Sequence, residues 1–330
     1  MRAIEKYGVG AGASRLICGN NALYKILEER LAQFKKTEGA LVFSSGYTAN
    51  VGTISAMASK ESTVFSDRLN HASIVDGIIL SRARHFRYPH ADTAALEGIL
   101  SKNETEEKLI VTDTVFSVDG DIAPLAQIVS LAKKYNAFLM VDEAHATGVL
   151  GEDGAGAAHK EGIDGSIDIQ MGTLSKALGG LGGFVCARKE IIDYLMNKSR
   201  SFIYTTALPP SVLASNIAAL DIIQNEPELR KALWKNAAYL SEGLHALGFD
   251  TLNSKTPIIP VLLKDNELTM NFSNGLFEEG IFAIGIRPPT VPIGSARLRV
   301  TVTAAHKREH LDKALEAFAK VGKRLGVVSI

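Results

Sequence analysis

The feature that most limits the fold of this chain is an alternation. Between residues 40 and 187, short apolar runs of strand length recur, and helix-length segments separate them. The strand-like runs cover residues 40–43, 63–65, 85–88, 109–112, 138–141, 167–171 and 184–187. Strand followed by helix, repeated, is the pattern of a mostly parallel sheet with helices on both sides. The spacing of Leu125, Ile128, Val129 and Ala132 predicts a helix over 124–135, with Pro124 in its first turn. Leu23, Ile26, Leu27, Leu31 and Phe34 predict another before the first strand, and residues 47–58 read as a helix directly after it.

Near Asn225-Glu226-Pro227 the pattern changes. A long helix, about 228–247, carries the single tryptophan, Trp234. Residues 258–263, 282–286 and 298–302 read as strands, and 268–279 and 307–324 as helices. The predicted class is therefore α/β: a seven-stranded domain over 1–225 and a smaller α+β domain over 226–330. A length of 330 residues accommodates two domains of roughly 100–200 each.

Charge excludes some roles. Thirty-six basic residues balance 36 acidic ones, so no general attraction draws the chain to nucleic acid or to an anionic membrane. No run approaches the ~20 apolar residues of a membrane span, and residues 1–7 lack the apolar core of a signal peptide. Cys18 and Cys186 are isolated and fit neither a disulfide framework nor a metal site, so a cytoplasmic location is expected. Tyr7-Gly8-Val9-Gly10-Ala11-Gly12 is not a dinucleotide fingerprint, because no strand precedes it.

Two stretches carry chemistry. Gly172-Thr173-Leu174-Ser175-Lys176 runs into Ala177-Leu178-Gly179-Gly180-Leu181-Gly182-Gly183. A lysine among small residues can lose its proton and act as a nucleophile, and dense glycine lets backbone approach a flat group. Upstream, the run 137–141 ends in Asp142-Glu143-Ala144-His145. An acid directly after a buried parallel strand lies at the carboxyl edge of the sheet, where open α/β folds bind ligands. Asp142 and His145, three apart, can face one site. Pyridoxal 5'-phosphate (PLP) needs such a pairing: a lysine to hold it covalently and a carboxylate at its ring nitrogen. Ser45-Gly46-Tyr47 opens a helix after a strand, which suits a phosphate. A metal site from His71, Asp142 and His145 has no supporting helical His spacing, and no metal is expected. Arg297 and Arg299 alternate with Leu298 and Val300 along a strand, so both guanidinium groups share a face.

In order along the chain, Gly10-Ala11-Gly12-Ala13-Ser14-Arg15-Leu16-Ile17, Ser45-Gly46-Tyr47-Thr48-Ala49-Asn50, Asn70-His71-Ala72-Ser73, Phe116-Ser117-Val118-Asp119-Gly120-Asp121, Val141-Asp142-Glu143-Ala144-His145, the Lys176 stretch and Arg287-Pro288-Pro289-Thr290-Val291-Pro292 leading to Ala296-Arg297-Leu298-Arg299 form a set. On these motifs the sequence resembles the α-oxoamine synthases, PLP enzymes of fold type I. The resemblance implies decarboxylative condensation of an amino acid with an acyl thioester by a homodimer whose active site lies at the subunit interface. It implies that Lys176 holds the cofactor and takes the substrate α-proton, and that Asp142 meets the ring nitrogen. His71 would stack on the ring, His145 would bond the ring oxygen or the substrate carboxyl region, and Ser117 would lie near the ring oxygen. Gly46, Tyr47 and Thr173 would bind phosphate, with Thr206 supplied from the second subunit. Arg297, with Arg299 second, would take the amino-acid carboxylate. Residues 286–292 look most like the family member that uses L-alanine and a pimeloyl thioester; glycine with acetyl-CoA is the alternative. The family has a histidine at Tyr24. It also has a leading segment before Tyr7, so a non-catalytic or truncated PLP-fold protein is a further alternative.

Overall fold

A computed structural model describes residues 1–252 and 254–328. The chain divides into two compact units, Met1–Val115 with Ala123–Glu226, and Phe116–Ile122 with the residues from Pro227 onward. The segment Phe116–Ile122 thus groups with the second unit, not with the residues on either side of it. The reason is local. Arg299 Nε donates to the Ser117 carbonyl at 2.5 Å, Thr256 Oγ1 donates to the Gly120 carbonyl at 2.9 Å, and Arg297 pairs with Asp119.

The first unit holds seven strands: β1 (Gly39–Phe43), β2 (Thr63–Asp67), β3 (Arg84–Tyr88), β4 (Lys108–Asp113), β5 (Phe138–Asp142), β6 (Ile169–Thr173) and β7 (Gly183–Ala187). Their order is β1-β7-β6-β5-β4-β2-β3. β3, β2, β4, β5 and β6 pair in parallel, whereas β7 runs antiparallel to both neighbours. β1 to β6 therefore point the same way. Leu109, Ile110 and Val111 on β4 and Leu139, Met140 and Val141 on β5 are all buried, as strands covered on both faces require. The helix Leu125–Lys134 buries Leu125, Ile128, Val129 and Ala132, the stripe its periodicity marks, and Pro124 stands just before it.

The second unit has its own core. β8 (Ile258–Lys264), β9 (Ile284–Ile286) and β10 (Ala296–Thr301) form an antiparallel sheet in the order β8-β10-β9. β9 is shorter than the apolar run 282–286 suggests, because Phe282 is 81% exposed and lies outside the sheet. Helices Pro227–Ala246, Asn266–Glu278 and Arg308–Arg324 complete the unit. Phe249, Phe272 and Phe318 pack as a trio with ring centroids 5.6–5.7 Å apart.

Candidate active site

Because β1 to β6 share a direction, their carboxyl ends form one edge, the position at which such sheets bind ligands. Gly46 and Tyr47 follow β1, His71 follows β2, Asp142 ends β5 and Thr173 ends β6, with Lys176 three residues on. One edge therefore gathers the sequence-predicted residues of the first unit, except Thr206. Thr206 is exposed and forms an isolated antiparallel bridge with Ser14.

The first turn of the helix Gly46–Met57 is shaped for an anion. Ser45 Oγ accepts from the Thr48 N–H, and Thr48 Oγ1 accepts from the Ser45 N–H. The Gly46 and Tyr47 N–H groups, at the first two helical positions, have no acceptor within the helix. The Tyr47 hydroxyl donates to Asp76 Oδ2 at 2.6 Å, so its side chain is committed elsewhere. The turn sits against β7: a Cβ on Gly183 would lie 2.7 Å from the Gly46 nitrogen and 2.5 Å from the Ser45 carbonyl oxygen. Only glycine permits that approach. Thr173 Oγ1 borders the turn, 3.5 Å from where a Gly46 Cβ would stand.

Two carboxylates stand side by side at the edge. Asp113 on β4 pairs in register with Asp142 on β5, and both are buried. Asp142 Oδ1 accepts from the Ala144 N–H at 2.8 Å, and its Oδ2 accepts from Asn50 Nδ2 at 2.7 Å. Asp113 Oδ2 accepts from the His71 N–H at 2.7 Å. Burial pushes the Asp113 carboxyl well above the usual carboxylate range, and the Asp142 charge adds to the rise. The His71 N–H and the Lys176 ammonium oppose the rise. Lys176 is exposed, and His145 is half-buried in the turn after Asp142.

Sequence reasoning picked Asp142 and passed over Asp113, although both end a buried strand with an aspartate. It also passed over Asn50, which lies one helical turn after Gly46 and points at Asp142. The raised Asp113 affinity for a proton has a measurable consequence. A group that binds its proton more tightly in the folded state stabilises the fold below its unfolded pKa, and this contribution falls as pH rises toward the folded value. In the cofactor-free protein, Asp113→Asn should therefore reduce the loss of stability above about pH 4, the unfolded carboxylate range. Chemical denaturation midpoints across pH check this; parallel wild-type and variant curves would contradict it.

Tyr24, where the resemblance leads to a histidine, is buried and structural. Its hydroxyl accepts from the Leu208 N–H at 2.6 Å, and the Arg15 guanidinium lies 3.8 Å from its ring centroid. His85 and His90 are half-buried and bonded: His85 Nε2 lies 2.8 Å from Ser66 Oγ, and His90 Nδ1 lies 3.0 Å from Asp67 Oδ1. Ser117, Arg297 and Arg299 belong to the second unit. There Arg297 is buried, pairs with Asp119 and donates to the Ser295 carbonyl at 2.8 Å.

A PLP group fits the first-unit residues. A carboxylate, a phosphate-ready helix start that a Cβ on Gly183 would close, and a lysine three residues beyond the end of β6 all lie along one edge. The family model of class I and II aminotransferases matches residues 1–318. The chain belongs to that family. Within it, the chain stands among the α-oxoamine synthases. The 8-amino-7-oxononanoate synthase of Geobacter metallireducens is 53% identical over 331 residues, covering 99% of this chain and 85% of the relative. The enzyme of the same name from Thermoanaerobacter pseudethanolicus is 51% identical, covering 99% and 84%. Among solved structures, serine palmitoyltransferase from Sphingomonas wittichii superposes with a TM-score of 0.97 at 35% identity, over 99% of this chain and 83% of that one. The 8-amino-7-oxononanoate synthase of Francisella tularensis gives 0.84 at 32% identity, over 98% and 91%. This family member is a PLP-dependent enzyme of fold type I.

Proposed function

We propose that the protein is an 8-amino-7-oxononanoate synthase, condensing L-alanine with pimeloyl-CoA or a pimeloyl carrier protein in biotin biosynthesis. The observation that carries this reading is the 53% identity over nearly the whole chain to enzymes of that name. In the reaction, a bond forms between the alanine α-carbon and the thioester carbonyl carbon. The carbon–sulfur bond breaks, the thiol leaves, and the alanine carboxylate departs as carbon dioxide.

PLP, when bound, supplies the electron sink for charge at the α-carbon. The protein supplies the rest. Lys176 Nζ would hold the cofactor covalently and would serve as the general base that takes the α-proton. Asp142 holds the proton of the ring nitrogen. The Gly46 and Tyr47 N–H groups and the Thr173 hydroxyl bind phosphate, joined by Thr206 of a second copy in a homodimer. His71 would lie against the ring face, and His145 and Ser117 would lie near the ring oxygen. Arg297 or Arg299 receives the alanine carboxylate, since a guanidinium fork matches a carboxylate. No helix among the described residues is long and apolar enough to cross a membrane. A cytoplasmic location completes the reading.

The substrate pair is tested by mass spectrometry of the product. With PLP added, L-alanine and a pimeloyl thioester should give 8-amino-7-oxononanoate. Product from glycine and acetyl-CoA alone would replace this reading with glycine C-acetyltransferase, and PLP binding without turnover of either pair would favour a non-catalytic protein. The arginines are distinguished by kinetics. Arg297→Lys should raise the alanine KM about tenfold, the loss of roughly one charge-assisted hydrogen bond, with a smaller change for Arg299→Lys. The reverse order would transfer the role to Arg299. An unchanged KM in both variants would remove both from carboxylate binding.

A further inference from the structure

We infer that Asn50 and Ser73 form a positioning relay that joins Asp142 to His71 and fixes the His71 ring with its proton on Nε2. Asn50 Nδ2 lies 2.7 Å from Asp142 Oδ2 and 2.9 Å from Ser73 Oγ. Ser73 Oγ lies 2.7 Å from His71 Nδ1, and the Ser73 backbone N–H donates to the same nitrogen at 3.2 Å. Two helices carry the relay, Gly46–Met57 and Ala72–Ser81. They touch closely because Gly77 faces the first: a Cβ there would lie 3.2 Å from the Asn50 carbonyl oxygen.

The direction of every bond follows from what each group can do. A carboxylate oxygen accepts, so Asn50 must present its amide nitrogen to Asp142. The other amide hydrogen goes to Ser73 Oγ. Turning the amide over would set its oxygen against the Asp142 carboxylate. The Asn50 oxygen is buried without a donor, so nothing on its other side favours the turned form. Ser73 Oγ accepts from Asn50 and has one hydrogen left to give. His71 Nδ1 already accepts the Ser73 N–H, so it is an acceptor and receives the hydroxyl hydrogen as well. The ring proton is left on Nε2. The His71 backbone is held from below by Asp113, which accepts its N–H. Asn50 and Ser73 therefore act through Asp142 and His71, not on substrate.

The inference rests on the PLP reading of Asp142 and His71, but its first test needs no turnover. Two-bond proton–nitrogen NMR spectra of the 15N-histidine-labelled holoenzyme report the tautomer of each ring, and His71→Gln assigns the signal. The wild type should show His71 protonated on Nε2. Ser73→Ala should move the signal toward a tautomer mixture while leaving the PLP dissociation constant within about twofold. Asn50→Leu should move the same signal and also raise that constant about tenfold, because Asp142 loses a donor. In kcat, the double variant should cost less than the product of the single effects, since both changes break one chain. A wild-type His71 protonated on Nδ1, or a signal unmoved in both variants, overturns the relay. Failure of the alanine and pimeloyl assay with an intact tautomer signature would overturn the proposed substrates and leave the relay standing.

Discussion

Replacing Lys176 with alanine is expected to lower turnover by at least about 10⁴-fold, the upper end of what a positioned general base contributes. The size follows from two roles on one atom. Lys176 Nζ is the proposed covalent anchor of the cofactor and the proposed acceptor of the α-proton. No second lysine stands within the segment between β6 and β7 to substitute for it. The phosphate cradle at Gly46 and Tyr47 and the Asp142 carboxylate do not depend on the Lys176 side chain. Lys176→Ala should therefore still bind PLP, now without a covalent link. Single-turnover kinetics and ultrafiltration after denaturation separate the two effects. Turnover within about tenfold of wild type would remove Lys176 from the centre of the site.

The largest expected effect on stability lies just behind the site. Lys35 and Glu143 form an ion pair with both side chains fully buried, Nζ to Oε2 at 2.5 Å. Lys35 Nζ also donates to Thr147 Oγ1 at 3.0 Å and to the Ala155 carbonyl at 2.5 Å, while Glu143 Oε1 accepts from the Ala158 N–H at 2.8 Å. Three points in the segment after Asp142, at Thr147, Ala155 and Ala158, are thus pinned by one lysine and one glutamate. Removing one partner leaves a bare charge in the core, which typically costs about 3–5 kcal/mol. That is a large share of a total stability of about 5–15 kcal/mol. Lys35→Met should therefore lower the urea midpoint sharply. Lys35→Met with Glu143→Gln, which removes both charges, should recover part of the loss. A single variant within 1 kcal/mol of wild type would show that the pair carries no such weight. The turn also bears His145, so the single variant should lose activity even where it remains folded.

Most strands were legible because they are short apolar runs between polar or glycine-rich connections, with β3 and β10 carrying charged residues as well, and each predicted run falls within or overlaps one of β1 to β10. The reversed direction of β7 was not marked by composition, since Phe184, Val185 and Cys186 pack equally well in either sense. The connection does mark it. Residues 174–182 are too few for a parallel crossover, which needs about a dozen or more. In the site, Asp142 stood out because an acid at the end of a buried strand is expensive to place, and Lys176 because it stands among small residues and glycines. Asp113 carried the same signal at the end of β4. Asn50 and Ser73 did not, because an asparagine and a serine in helices read as ordinary polar residues until their partners are placed. Lys35 was the least legible. A lysine directly after an amphipathic helix normally belongs in solvent, complementing the helix dipole, and only the fold brings Glu143 to it across 108 residues of sequence.

The most direct test of the site is to reduce the PLP-loaded protein with borohydride, digest it and map the pyridoxyl mass to a peptide. The account predicts the label on Lys176 and on no other lysine. A label on Lys35 or on another lysine, or PLP bound tightly with no reducible link, would contradict it.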